Sequence, residues 1–200
     1  MLIAHRGVFN KYIKENSIKA FINAINDSKY IGFECDVRET KDHEFVINHD
    51  FYYDNNLINK YNLDELKKSG LCSLDDVLNL DTNKLILIDI KDINISIDKL
   101  IDKLNNSNKN IYVMSYNKKV LDKILERNIY FKVGLLNMVI NSNKEYHKYN
   151  FIALLYSSIT DNILKYFSKN NIEVFTYGIT NYTNIYKNKI YYIIDDIKLK

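Results

Sequence analysis

Proline and tryptophan are absent from this 200-residue chain, and glycine occurs only five times. Without proline, loops must be closed by Asn, Asp, Gly and Ser. Two cysteines, Cys35 and Cys72, are too few for a disulfide framework, and Cys35 is read as a small buried hydrophobe. No apolar run reaches the roughly 18 residues that span a bilayer, so no transmembrane segment is expected. The opening MLIAHRG has no basic region followed by a long apolar stretch. No signal peptide is therefore expected, and the cytoplasm is the expected location. Dense Lys/Arg blocks are missing and the net charge is only +3. Nucleic-acid binding is not expected, while a small anionic substrate would be tolerated.

What is present suits one domain spanning residues 1–200, with no linker, low-complexity tract or repeat to divide it. A hydrophobic share of 46% is enough for a core. The abundance of Asn, Ile, Lys and Tyr is read as coding bias with no functional message.

Short apolar runs alternate with helical patterns, which predicts parallel β/α units. Strands are expected at Leu2–Ala4, Phe33–Val37, Leu85–Ile90, Ile111–Met114, Phe131–Leu135, Phe151–Leu155, Glu173–Tyr177 and Ile190–Ile194. Phe45–Ile47 is a short companion. Helices are expected over residues 15–27 and about 96–104, with helical spacing between the later strands clearest over 118–127 and 161–170, and shorter helices at 62–68 and 73–80. Eight strands close a (β/α)8 TIM-type barrel, which typically takes about 250 residues and can take about 200. This barrel would be minimal, and a final outer helix after the last strand is not expected.

The reactive residues collect at one end of these strands. His5 and Arg6 follow the first strand, Glu34 and Asp36 close the second, and His49 follows the companion. Asp89 and Lys91 close the third, two apart and so on one face, and Ser115 follows the fourth. In a parallel barrel these ends open on one mouth, where such folds place active sites. Glu34, Asp36 and Asp89 form an all-oxygen donor set that suits Mg²⁺ or Ca²⁺. His5 and His49 can exchange protons near neutral pH. Arg6 and Lys91 can pair with acids or contact phosphate oxygens. His43, in a turn, and His147, in a polar helix, are read as surface residues, and Glu15 and Asn16 equally as a helix start or as site residues.

The sequence resembles the glycerophosphodiester phosphodiesterase family. The matching pieces are HRG at His5–Gly7, EN at Glu15 and Asn16, ECD at Glu34–Asp36 and HD at His49 and Asp50. LILIDIKD, VMSYN, VFTYGIT and IIDD resemble later strand blocks in the same order. The resemblance implies metal-dependent cleavage of glycerophosphodiesters to glycerol 3-phosphate and an alcohol. It assigns the metal to Glu34, Asp36 and Asp89, acid/base work to His5 and His49, and phosphate contacts to Arg6 and Lys91. The nucleophile, a glycerol hydroxyl or water, is left open.

Departures from the family pattern are few. Asp89 is one methylene shorter than the usual Glu, Lys14 replaces a Pro, and the insertion after HD is contracted to roughly residues 51–71. Phe175 stands where Trp is expected, which predicts altered headgroup packing. Alternatives are a lysophospholipase D-like or phospholipase C-like enzyme of the same barrel type, or a catalytically weakened headgroup-binding module. A bare outer face on the last strand would also invite a homodimer.

Overall fold

Alternation of side chains along each strand organises this molecule into concentric layers. The computed structural model describes residues 1–140, 145–179 and 190–195. The first half contains β1 (Leu2–Ala4), α1 (Ile18–Asn26), β2 (Tyr30–Glu39) and β3 (Phe45–Ile47). A small hairpin of β4 (Tyr52–Tyr53) and β5 (Asn56–Leu57) follows, then α2 (Leu63–Lys68) and α3 (Leu74–Leu78). The second half runs β6 (Leu85–Ile90), α4 (Ile97–Asn105), β7 (Ile111–Ser115), α5 (Lys118–Leu125) and β8 (Lys132–Asn137). It continues with β9 (Phe151–Leu155), α6 (Asp161–Lys169), β10 (Glu173–Tyr177) and β11 (Ile190–Ile194).

Eight parallel strands close into a barrel in the order β1-β2-β6-β7-β8-β9-β10-β11, because β1 pairs with both β2 and β11. Inward positions such as Ile3, Leu87, Tyr112, Phe151, Phe175 and Ile193 form the core inside the barrel. Outward positions such as Phe33, Cys35, Ile88, Val113, Ile152 and Val174 pack with the helices in a second, larger core. This is the layered packing that fills such barrels. Gly134 is inward on β8, and a Cβ there would lie 2.4 Å from the Phe151 ring. The missing side chain therefore makes room for a large ring from the neighbouring strand.

The expected strands hold nearly to the residue, with one informative exception. β2 continues to Glu39, beyond the expected end at Val37, because β3 folds back antiparallel and pairs with Val37, Arg38 and Glu39. Glu34 and Asp36 thus lie within β2 rather than closing it. They remain near the mouth because the neighbouring β6 ends at Ile90, opposite Val37. The first helix begins at Ile18 instead of Glu15: Ser17 caps it, accepting from the Ala20 N–H, and Asn16 sits in the left-handed region at φ 52. Both cysteines are buried and free.

The outward Ile190, Tyr192 and Ile194 of β11 are buried within the chain. The expected lack of a final helix concerns residues beyond 195, outside the described residues. Among the described residues no helix is long and apolar enough to cross a membrane.

Candidate active site at the barrel mouth

Inward positions of two neighbouring strands bring three acids together. Asp36 on β2 and Asp89 on β6 are direct partners in register, and Glu34 is the preceding inward position on β2. Carboxylate oxygens of all three lie within 4.8 Å of one another, and all three residues are buried. Lys91 sits between them, with Nζ 2.6 Å from Asp89 Oδ2 and 2.9 Å from Asp36 Oδ1. The second approach misses hydrogen-bond angles, so Asp36 Oδ1 and Asp89 Oδ1 are both buried without a hydrogen-bond partner. Buried polar atoms are rarely left so. With its oxygen-only ligands, the cluster is able to hold a hard divalent cation.

The β1–α1 loop wraps this cluster. Arg6 adopts φ 54, a left-handed conformation uncommon for a side chain of its size. It is pinned there: its N–H donates to Glu34 Oε2 at 3.0 Å, and its carbonyl accepts from the Asn16 N–H at 3.0 Å. The guanidinium donates to Glu15 at 2.7 Å, and its Nε lies 3.2 Å from Asp36 Oδ2. Asn16 Nδ2 donates to Asp36 Oδ2 at 2.7 Å. Gly7, at φ +80, completes the turn where a Cβ would meet the Ala20 backbone at 2.7 Å. Such strain is maintained only when the surroundings over-determine it, and it concentrates at functional sites.

The two histidines flank the acids. His5 Nδ1 lies 2.6 Å from Asp195 Oδ1, and its Nε2 is 3.9 Å from Glu34. His49 Nδ1 lies 2.8 Å from Asp50. Arg38 holds the His49 carbonyl, donating from Nε at 3.0 Å and Nη2 at 2.6 Å. His5, Arg6, Glu34, His49, Asp89 and Lys91 line a single cavity of about 250 Å³. Asp36 lies just beneath its lining.

These contacts divide the charges unequally. Burial, then the neighbouring Asp36, pushes the Glu34 carboxyl up to about 8. Burial also raises Asp89, against the pull of Lys91. Asp36 is equally burdened by burial, but Lys91, Arg6 and Asn16 outweigh it and hold its pKa below the usual range. For His5, burial works against the charged form, yet the Asp195 bond and Glu34 prevail and raise it.

With this geometry established, comparison with known proteins places the chain. The sequence matches the glycerophosphoryl diester phosphodiesterase family over residues 5–195. The chain belongs to this family. No curated protein sequence matches it. Among solved structures, a glycerophosphodiester phosphodiesterase from Thermotoga maritima is 23% identical, with a TM-score of 0.80 over 99% of this chain and 95% of that one. An Oleispira antarctica phosphodiesterase in complex with its product sn-glycerol 3-phosphate is 18% identical, with a TM-score of 0.78 over 90% of this chain and 85% of that one. A glycerophosphodiester phosphodiesterase from Agrobacterium tumefaciens is 16% identical, with a TM-score of 0.74 over 98% and 95%. At these identities the likeness is one of fold.

Against this family background, the HRG, EN, ECD and HD segments converge as their order suggests. Glu15 and Asn16 are site neighbours, not the start of α1. His43 and His147 are on the surface, His43 paired with Glu39 at 2.6 Å. Two expectations are corrected. Ser115 does not line this cavity: it is buried on the outward side of β7, donating to the Ile90 carbonyl at 2.8 Å. Phe175 is also fully buried, one layer below the cavity and stacked on Tyr191 with centroids 4.3 Å apart. The residue of β10 that reaches the cavity is Tyr177, two positions on, its hydroxyl 2.5 Å from that of Tyr116. Tyr116, Tyr177 and the His5 partner Asp195 were not singled out by sequence reasoning, although IIDD contains the last of them.

Proposed function

We propose that this chain cleaves glycerophosphodiesters to glycerol 3-phosphate and an alcohol, with His5 and His49 moving protons and a divalent cation held by Glu34, Asp36 and Asp89. The observation that carries this reading is the shared cavity: both imidazoles open on the same 250 Å³ space as Glu34, Asp89, Arg6 and Lys91. The product named with the Oleispira structure fits the same assignment. We read residues 1–200 as one domain, since strands from β1 to β11 contribute to the site.

The donor set fits a cation. It is all oxygen, and two of its buried oxygens have no hydrogen-bond partner. Mg²⁺ and Ca²⁺ both take oxygen ligands. When bound, such an ion offsets negative charge on a phosphoryl oxygen and favours ionisation of a nearby hydroxyl.

The protein's own groups supply the proton path. The Asp195 contact holds the neutral His5 proton on Nδ1 and leaves Nε2 as the acceptor on the cavity side. Asp50 does the same for His49. One Nε2 takes the proton of the attacking hydroxyl: water gives glycerol 3-phosphate directly, whereas a glycerol hydroxyl gives a cyclic phosphate that a water then opens, the two imidazoles exchanging roles. The other imidazole, protonated, gives its proton to the departing alcohol oxygen as the P–O bond breaks. Arg6 and Lys91 supply positive charge for the remaining phosphate oxygens. Two free, buried thiols suit the reducing cytoplasm.

The test is a product assay. Purified protein is incubated with glycerophosphocholine and Mg²⁺, Ca²⁺ or a chelator, and glycerol 3-phosphate is measured. Turnover with an ion, its loss with chelator, and its loss in a folded His49→Ala variant are expected. Binding without turnover under every divalent ion would replace the enzyme reading with that of a headgroup-binding module.

A further inference from the structure

The cavity is ringed by exposed apolar side chains. Tyr12, Phe51, Tyr52, Ile93, Tyr116 and Met138 are all exposed, Tyr12, Tyr52 and Ile93 by 82%, 62% and 64%. They lie on the segments that follow β1, β3, β6, β7 and β8, five separate pieces of chain meeting at one mouth. Exposed apolar residues elsewhere are scattered singly, such as Ile22 on α1, Tyr130 after α5 and Tyr166 on α6. Single exposed apolar residues are ordinary, whereas a set gathered around an active-site opening marks an interaction surface. The pieces are tied together. Lys14 of the first loop lies over the Tyr53 ring of the hairpin, 5.9 Å from its centroid. Phe51, Ile93 and Tyr116 line one groove of about 600 Å³ that shares Asp89 and Lys91 with the catalytic cavity.

The charge at this rim narrows the choice of partner. Lys11, Lys14 and Lys119 are exposed on the same segments, and none forms an ion pair among the described residues. Lys11 lies over the Tyr12 ring, 4.8 Å from its centroid. Of the rim acids, Asp92 is engaged by the buried Arg38, and Asp50 pairs with His49 while staying exposed. Aromatic rings interleaved with lysines match the headgroup level of a bilayer, where rings sit between polar and apolar layers and lysines meet lipid phosphates.

We propose that the barrel mouth docks on an anionic lipid surface, with the lysines on lipid phosphates and the rim side chains at the headgroup level. Docking in this way turns the cavity toward a surface of phosphodiester headgroups. It rests on the rim alone and stands apart from the reaction assigned above.

The test is co-sedimentation of the full chain with vesicles of phosphatidylcholine alone, or of phosphatidylcholine mixed with an equal share of phosphatidylglycerol. Pelleting with the mixed vesicles, its decline with added salt, and little pelleting with phosphatidylcholine alone are expected. Tyr52→Ser with Ile93→Ser, and separately Lys11→Gln with Lys119→Gln, should each lower partition onto mixed vesicles on the order of tenfold. Neither pair contains a residue assigned to the chemistry, so turnover of a water-soluble diester should be unchanged. Equal pelleting with both vesicle types, no pelleting, or unchanged partition in both variants would overturn the proposal. So would self-association in solution that the rim substitutions dissolve, which would assign the rim to a second copy of the chain.

Discussion

Asp36 and Asp89 stand opposite each other across the β2–β6 ladder, joined through the ammonium of Lys91. With Glu34 beside them, three buried acids share Lys91 and Arg6 as their near cations. The arrangement strains against burial, as the raised Glu34 and Asp89 carboxyls show. Proteins tolerate such conflicts at functional sites and compensate elsewhere. Replacing one acid should therefore relieve the metal-free fold while removing a ligand. For Asp89→Asn we expect a metal-free melting temperature equal to or above that of the parent, and a smaller gain on adding Mg²⁺ or Ca²⁺. Turnover should fall by at least about a hundredfold. Thermal melts with and without each ion, beside the product assay, check this. An unchanged ion-induced gain in the variant would remove Asp89 from the ligand set.

The same conflict sets a pH dependence. Glu34 and His5 both have folded-state pKa values above their ordinary ones. A group raised in this way favours the folded state below its unfolded pKa, and the advantage is lost as pH climbs through the folded value. For Glu34 that window runs from 4.5 to about 8. For His5 it opens at 6.5 and works in the same direction. Asp36, whose pKa is lowered, acts only below its ordinary 3.8 and does not oppose this. Metal-free protein should therefore melt at a lower temperature near pH 9 than near pH 6, roughly the two sides of the Glu34 window. Added Mg²⁺ or Ca²⁺ should shrink the difference, because bound metal favours the ionised carboxylate. A melting temperature that rises across this range would contradict the burial assigned to Glu34.

Much of this site was legible in the chain because alternation is a strong signal. Glu34 and Asp36 interrupt an apolar strand on one face, and Asp89 repeats the interruption on the next. Strand alternation predicts the layers too, but not their depth. Phe175 and Tyr177 share a face of β10, and only the register of the closed barrel shows that Tyr177 reaches the cavity. Asp195 is 190 residues from His5, so no local pattern links them. With 17 tyrosines in the chain, Tyr116 and Tyr177 carried no distinguishing mark. Arg38 was hidden because the extension of β2 depends on its pairing with β3, a tertiary event.

Arg38 is the clearest positioning residue that this extension creates. Its guanidinium reaches the His49 carbonyl through two nitrogens, donates to Asp92 at 2.6 Å and lies 3.9 Å from the Phe51 ring centroid. A planar fork makes all these contacts at once, and an ammonium cannot. Arg38→Lys should loosen the His49 loop, lowering kcat roughly tenfold with little change in KM. The lost buried hydrogen bonds should cost about 1–3 kcal/mol of stability. Steady-state kinetics and denaturant melts separate the two effects. A rise in KM with kcat preserved would instead make Arg38 a substrate-binding group.

Asp195 offers a way to tell which histidine plays which part. It fixes His5 through Nδ1 and raises its pKa. Asp195→Asn keeps a hydrogen-bonding group of nearly the same shape but removes the anion. The His5 titration, followed by NMR of labelled imidazole, should move down toward 6.5, and kcat should fall by about 10- to 100-fold. The pH–rate profile then assigns the role. If His5 takes the proton of the nucleophile, it must be neutral, and the acidic limb of the profile moves to lower pH. If His5 protonates the departing alcohol, it must be charged, and the alkaline limb moves instead. A profile in which neither limb moves, despite a shifted His5 titration, would mean that His5 does not exchange a proton in the rate-limiting step.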